Sequence, residues 1–307
     1  MILVTGAMGR IGTAAVRALV ARGHAVRALV PAARRVPWLS ELPIVCLEGE
    51  ASDARHLPGL LAEVRAAVLI ARQSPLQVAG LEALIDACRA AAVDRVVFLS
   101  VAEAAAMAPA QLARQQWETE RYLARSGLPH VVVRPVRLMQ ELQHQVPLMR
   151  SQQMLVGCQG DGAVPDVDAD DVGRVLAGLI DAPTLPAEPV VVTGAAAYTR
   201  PAMAALLARA WGTPLRYVPC TPLELTQTLL AAGLPRWHVQ TLVHFEEEAR
   251  DGRFATVTDA VPEWTGRAAR PLADFASELA RAIQYAGPPA PAQTSDQTVP
   301  TRSTRSR

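Results

Sequence analysis

Three glycines, each three residues from the next, limit what this chain can become. In Val4-Thr5-Gly6-Ala7-Met8-Gly9-Arg10-Ile11-Gly12 an apolar run, beginning at Ile2, leads straight into the glycines, and a helix-forming segment over 10–22 follows. Gly6 permits a tight turn, Gly9 lets the backbone come close to a pyrophosphate, and Gly12 allows a helix to pack closely on a strand. Free N–H groups at the start of that helix would then face phosphate oxygens. The pattern implies dinucleotide binding through Gly6, Met8, Gly9, Arg10, Ile11 and Gly12. The other reading is a retained scaffold whose pocket is empty or serves a different ligand.

The rest of the first half keeps the rhythm that such a loop requires. Strands are predicted at Ile2–Thr5, Ala25–Val30, Ile44–Leu47, Ala67–Ala71, Arg95–Ser100 and His130–Arg134, with helices near 10–22, 54–64, 76–92 and 109–126. Apolar runs with little polar alternation suit parallel strands buried on both faces. The fold class is therefore α/β, a Rossmann-type doubly wound parallel sheet. Beyond it the chain is more helical: Asp168-Ala-Asp-Asp171 opens a helix, Val190–Thr193 and Leu215–Val218 read as strands, and helices follow near 201–211, 222–232, 235–250 and 271–285. Residues 1–150 are expected to form the dinucleotide-binding domain and 151–286 a smaller, mostly helical substrate lobe. Residues 287–307 lack an apolar pattern and read as a disordered tail.

Composition excludes several chemistries. The chain has 307 residues and no lysine, so all 30 basic residues are arginine. A lysine Schiff base, a P-loop lysine and a Tyr-x-x-x-Lys catalytic pair are impossible. A net charge of +1 argues against nucleic-acid binding, which needs a basic excess. Cys46, Cys88, Cys158 and Cys220 show no Cys-x-x-Cys spacing and suit reduced structural thiols. The first residues read as a strand and not a signal peptide, and no apolar stretch is long enough to cross a bilayer. A cytoplasmic protein, monomer or homodimer, acting on a small molecule is expected. Arginine without lysine, with abundant Ala and Pro, hints at a GC-rich bacterial source.

After the second strand, Val30-Pro31-Ala-Ala-Arg34-Arg35 offers no acid for a ribose hydroxyl. Arg34 and Arg35 could instead meet a ribose phosphate, which favours NADP(H) over NAD(H), or could simply be a solvated pair. Ligands in such sheets lie beyond the carboxyl ends of the strands, placing Ala71-Arg72, Ser100 and Pro135 near a nicotinamide and 136–166 along the substrate. Ser100 could orient substrate or merely end a strand. Gln116 shares a helical face with Leu112, Thr119 and Leu123, so it should point inward, where its amide could bond a carbonyl. His144, then Glu141 and Asp166, are the acid/base candidates; His24, His238 and His244 are set lower. Trp211, Trp237 and Trp264 read as core anchors. No metal-ligand spacing is evident, so no metal is expected.

An ordered set of segments resembles the NmrA-like branch of the atypical short-chain dehydrogenase/reductase family. It comprises Thr5–Gly12, Arg27-Ala-Leu-Val30, Val97-Phe-Leu-Ser100, Ser126-Gly-Leu-Pro129 with Arg134-Pro135, Asp170-Asp-Val172, Val192-Thr-Gly194, Ala231–Pro235, and Val257-Thr-Asp259 with Thr265-Gly-Arg267, spanning roughly residues 1 to 280. It looks closest to triphenylmethane reductases and small NADPH-dependent quinone reductases, which implies NADP(H) binding; some relatives only sense the dinucleotide. The resemblance adds Glu50, after Gly49, to the cofactor contacts, where the family usually has Asp. The chain departs from the pattern at Met8 (usually Thr), Pro31 (usually Arg) and Gln116 (often Lys or His). It departs again at Val136–Glu141, where an aromatic residue and Asn are usual. The reading that follows is an NADP(H)-dependent reductase of an apolar aromatic or quinone-like molecule. A non-redox cyclase, dehydratase or isomerase, and a dinucleotide-sensing regulator, are the alternatives.

Overall fold

The structure, a computed structural model, describes residues 1–30, 41–49, 57–71 and 77–285. Seven parallel strands form the main sheet: β1 (Ile2–Val4), β2 (Val26–Val30), β3 (Ile44–Glu48), β4 (Ala66–Ile70), β5 (Arg95–Leu99), β6 (His130–Pro135) and β8 (Val190–Val192). Their order is β3-β2-β1-β4-β5-β6-β8. The order reverses between β1 and β4, which opens the crevice where such sheets bind ligands. β7 (Met154–Gly157) and β9 (Arg216–Pro219) pair separately, also in parallel.

Alternation along the strands builds two cores. Ile2, Val4, Val26, Ala28, Val68, Val97 and Val133 face one side, while Leu3, Leu29, Ala67, Leu69, Phe98 and Val132 face the other. The first side is covered by α1 (Arg10–Ala21) and α6 (Ala169–Ile180), the second by α2 (Leu57–Leu61), α3 (Gln77–Ala90) and α4 (Gln111–Arg125). α1 and α6 cross so closely that a methyl group on Gly173 would lie 2.4 Å from the Ala14 Cβ. Asp168 caps α6 by accepting from the Asp170 N–H at 2.7 Å, and Asp171 accepts from the Arg270 N–H at 2.7 Å. Those acids serve the helix start as its macrodipole requires.

The two lobes are not consecutive halves. The chain leaves the sheet after β6, forms a 3-10 turn (Met139–Gln145), α5 (Val146–Gln152) and β7, then returns to supply α6 and β8. The smaller lobe comprises β7 and β9 with α7 (Arg200–Trp211), α8 (Pro222–Ala231), α9 (Arg236–Arg250) and α11 (Leu272–Tyr285); the short α10 (Ala260–Thr265) packs beside α6. Leu155 packs with Met203, Leu207 and Phe275 on one face of the two-stranded sheet, and Val156 with Leu225, Leu229 and Val243 on the other. Neither β7, the 3-10 turn, α5 nor α10 is predicted from sequence, and α4 begins at Gln111, two residues after Pro109. The predicted tail, Arg34, Arg35, Glu50 and Arg72 lie outside the described residues. Among the described residues no helix is long and apolar enough to cross a membrane.

All four cysteines are unpaired, and burial pushes the Cys88 and Cys158 thiols up to about 12. Glu103, after β5, is also buried. Desolvation pushes its carboxyl up to about 7, a backbone hydrogen bond opposing and the Glu248 charge adding. Between its ordinary 4.5 and about 7 the native state keeps a proton that the unfolded chain has released, so stability falls as pH rises across that window. Glu103→Gln is expected to remove that fall: thermal melts should show the variant more stable than wild type at pH 8 and equal to it below pH 4.5.

Candidate functional site

The glycine loop is fixed from both sides. Thr5 Oγ1 donates to the Ile70 carbonyl at 2.9 Å and accepts from the Ile70 N–H at 2.8 Å, stitching the ends of β1 and β4 together. Gly6 turns with φ +60°, the Gly9 N–H donates to the Gly6 carbonyl at 2.9 Å, and Thr13 Oγ1 donates to the Ala7 carbonyl at 3.1 Å. A Cβ on Gly12 would stand 2.1 Å from the Gly6 oxygen, whereas at Gly9 the nearest atom is 3.4 Å away. Gly12 is closed by the loop itself; Gly9 is open on its outer side. Gly9 is the N-cap of α1, with no side-chain cap and no acid in the first turn. The helix start therefore offers unneutralised N–H groups to an anion. Met8 is half-buried and packs against the first core, and Ile11 packs there too. Ala71 follows β4 directly and Pro135 is the last residue of β6.

Arg10 connects the loop to the second lobe: its guanidinium donates to Gln143 Oε1 in the 3-10 turn. That turn borders a small, open cleft lined by Arg137, Leu138, Glu141, Leu142, Leu225 and Leu229, among others. Gln145 secures the turn by clamping β7, donating to the Val156 carbonyl at 2.9 Å and accepting from the Val156 N–H at 2.8 Å. Were the loop to hold a nicotinamide dinucleotide, Arg10→Ala would weaken its binding roughly tenfold, about 1.4 kcal/mol, with an unchanged melting temperature in its absence. Fluorescence titration and thermal melting measure the two.

The predicted catalytic residues fare differently. Ser100 is buried, and its hydroxyl donates to Glu120 on α4, which also receives both the Nε and a terminal nitrogen of Arg134. The Ser100 proton is thus engaged in a network joining β5, α4 and β6, which leaves the hydroxyl its acceptor capacity. Asp166 is buried and accepts from Arg137 on both its oxygens, at 2.6 and 3.0 Å. Gln116 does point inward, with Thr119 and Leu123 on the buried face of α4, and its Oε1 is buried with no hydrogen-bond partner among the described residues. His144 meets Glu141 at 3.5 Å, and α9 brings His238 to the same carboxylate at 3.0 Å. Burial works against the Glu141 charge, yet the bond to His238 and the nearby His238, His144 and Arg10 charges hold its carboxyl below the usual range. Burial also depresses His144, with Glu141 opposing.

Sequence reasoning ranked His238, 97 residues from Glu141, below His144, because no local pattern marks a contact between lobes. Its neighbour Trp237 is no core anchor; it stacks on His238 with ring centres 5.1 Å apart. Trp211 and Trp264 do pack against cores. His24 instead bonds Asp181 at 2.7 Å beside Arg22. Missed altogether is a buried pair of arginines, Arg137 and Arg200, sharing Glu246 beneath the cleft. The signal in sequence was the bare presence of charges in apolar segments.

The family model described as NAD(P)H-binding matches residues 6–183, more than half of the chain. The chain belongs to the NAD(P)H-binding family. It is 31% identical over 283 residues to the NAD(P)H azoreductase of Xenophilus azovorans, covering 92% of this chain and 99% of that protein. Two solved structures share its fold. The NADPH-dependent quinone oxidoreductase QOR2 of Escherichia coli, complexed with NADPH, has a TM-score of 0.83 and 23% identity, covering 91% of this chain and 99% of that one. Citrobacter sp. triphenylmethane reductase, complexed with NADP(H), has a TM-score of 0.81 and 18% identity, covering 91% and 100%. The NmrA-like resemblance read from the sequence is upheld, and with it the Rossmann-type sheet.

Proposed function

We propose that the protein is an NADP(H)-dependent reductase whose acceptor is an apolar aromatic or quinone-like small molecule. That it is an NAD(P)H-dependent oxidoreductase follows from its family and its relatives; the acceptor class and the preference for NADP(H) are our reading. One observation carries it: an uncapped helix start over the open face of Gly9, tied through Arg10 and Gln143 to a cleft walled by leucines. The residues present fit the dinucleotide. Gly6, Met8, Gly9, Arg10, Ile11 and Gly12 would hold the diphosphate through main-chain amides and one guanidinium, with Ala71 and Pro135 bordering the nicotinamide end. Arg34, Arg35 and Glu50 keep their proposed cofactor contacts on sequence grounds, and the two arginines support NADP(H). When bound, NADPH supplies the hydride.

The chain's own part is to desolvate and orient. Leu138, Leu142, Leu225, Leu229 and Leu242 give the acceptor an apolar wall. A His144 imidazole N–H, beside Glu141 of the cleft wall, can donate to the acceptor's oxygen, where charge gathers on reduction. No stronger acid is required, because a conjugated acceptor spreads that charge over its ring, so the absence of lysine is tolerable. The unpartnered Oε1 of Gln116 is assigned to an amide or hydroxyl of a bound ligand. A buried unpaired acceptor costs about 1–3 kcal/mol. Gln116→Leu is therefore expected to raise the melting temperature of the ligand-free protein while weakening NADPH or acceptor binding. A loss of stability with unchanged binding would refute the assignment.

Adding NADPH to the protein should give a saturable fluorescence change and a thermal upshift, and a quinone should then oxidise NADPH in stoichiometric turnover. No shift on adding NADPH overturns the proposal. Product formation with NADPH unconsumed would favour the isomerase-type reading, and binding without turnover on any acceptor the sensing one.

A further inference from the structure

In a 3-10 turn three residues complete one circuit, so side chains at i and i+3 project from the same edge. Glu141 and His144 stand in that relation within Met139–Gln145, and His238 reaches them from the first turn of α9. His238 Nε2 lies 3.0 Å and His144 Nε2 3.5 Å from the same carboxylate oxygen, Glu141 Oε2. One ligand atom from each of the three residues falls within 4.8 Å of the others. A tetrahedral zinc ion bound at about 2.0–2.1 Å sets its ligand atoms roughly 3.3 Å apart. Two of the three separations are thus within a few tenths of an ångström of that figure.

The rings are held in this arrangement by their neighbours. The His144 and His238 rings meet edge to face at 5.1 Å and 85°, and Trp237 lies flat on His238 at 12°. The donor set, two imidazoles and one carboxylate, suits zinc and its transition-metal neighbours; magnesium and calcium prefer oxygen alone.

We infer that Glu141, His144 and His238 form a binding site for a divalent transition-metal ion of the zinc type, with three protein ligands and a further position open at the substrate cleft. Glu141 belongs both to this trio and to the cleft wall, so an ion here would face whatever occupies the cleft. Three-ligand sites with an open position are the arrangement of zinc that meets a substrate or water. The site's existence does not rest on the reductase reading. Metal binding and NADPH binding can each fail alone.

The test is calorimetric titration of zinc chloride into the chelator-treated full chain under a non-thiol reductant, with cobalt chloride as a spectroscopic probe. One equivalent of zinc should bind. Cobalt should give visible bands of a four- or five-coordinate ion without the near-ultraviolet band of thiolate ligation. His144→Ala and His238→Ala should each weaken zinc binding roughly 100-fold or more, beyond the effect of losing an outer partner, while metal-free melting stays within a few degrees of wild type. Absence of saturable binding, a thiolate band pointing to Cys158 and Cys220, or unchanged affinity in both histidine variants would each overturn the site.

Discussion

Gly12→Ala is expected to abolish NADPH binding and to destabilise the fold by several kcal/mol. The new methyl carbon would stand 2.1 Å from the Gly6 oxygen and 2.9 Å from the Ala7 Cα, both main-chain atoms of the loop proposed to hold the diphosphate. No rotamer can relieve a Cβ clash with backbone, so α1 must move away from β1, and overpacking of this kind costs at least the usual 1–3 kcal/mol. Gly9→Ala is the informative companion. Its φ of −75° suits alanine, and its nearest neighbour would be at 3.4 Å. That variant should melt within a few degrees of wild type yet bind NADPH at least roughly 100-fold more weakly, about 2.7 kcal/mol, because the methyl occupies the face left for the phosphates. Equal affinity of Gly9→Ala and wild type in a fluorescence titration would mean that nothing approaches the backbone there.

The second large effect is expected beneath the cleft. Glu246 Oε2 accepts from the Cys158 N–H at 2.6 Å, and Oε1 accepts from Arg200 and, at 3.5 Å, from Arg137, itself bound to Asp166 and Gln159. The side chains of Glu246, Arg200, Arg137, Asp166 and Gln159 are all more than nine-tenths buried. Burial opposes the charge on Glu246, but Arg200 and Arg137 outweigh it and hold the carboxyl below its usual range. Two positive and two negative groups balance. Glu246→Ala leaves two buried guanidinium groups with one carboxylate, and breaking such a pair costs about 3–5 kcal/mol. Urea unfolding should show a loss of that order, enough to consume much of a typical domain's stability. Arg200→Met should cost less, since Glu246 keeps Arg137 and the Cys158 amide. The opposite ranking would mean that Arg137 and Glu246 do not share charge as the geometry indicates.

The sheet was legible because its signals are local. Each strand predicted in the first half lies within one or two residues of its observed bounds, since a parallel strand shows itself as a short apolar run even where, as in β3, it lies half-exposed at the sheet edge. Gly6, Gly9 and Gly12 were legible for the same reason: each answers to atoms of the loop or of its immediate neighbour β4. β7 and the 3-10 turn were not, because four apolar residues such as Met154–Gly157 fit a strand or a helix equally until β9 arrives to pair with them. The partner of Ser100 was hidden for a related reason. A serine ending a strand looks free until α4 sets Glu120 against it.

The amino-acid order alone determined the glycine cradle, the parallel sheet and the exclusion of every lysine-based chemistry, because these depend on residue identity and short-range periodicity. Tertiary structure decided which polar groups are already engaged and which meet. It bound Ser100 to Glu120 and Asp166 to Arg137, and it carried His238 across 97 residues to Glu141. The physical reason is that hydrogen bonds and ion pairs act over about 3 Å and take no account of separation along the chain.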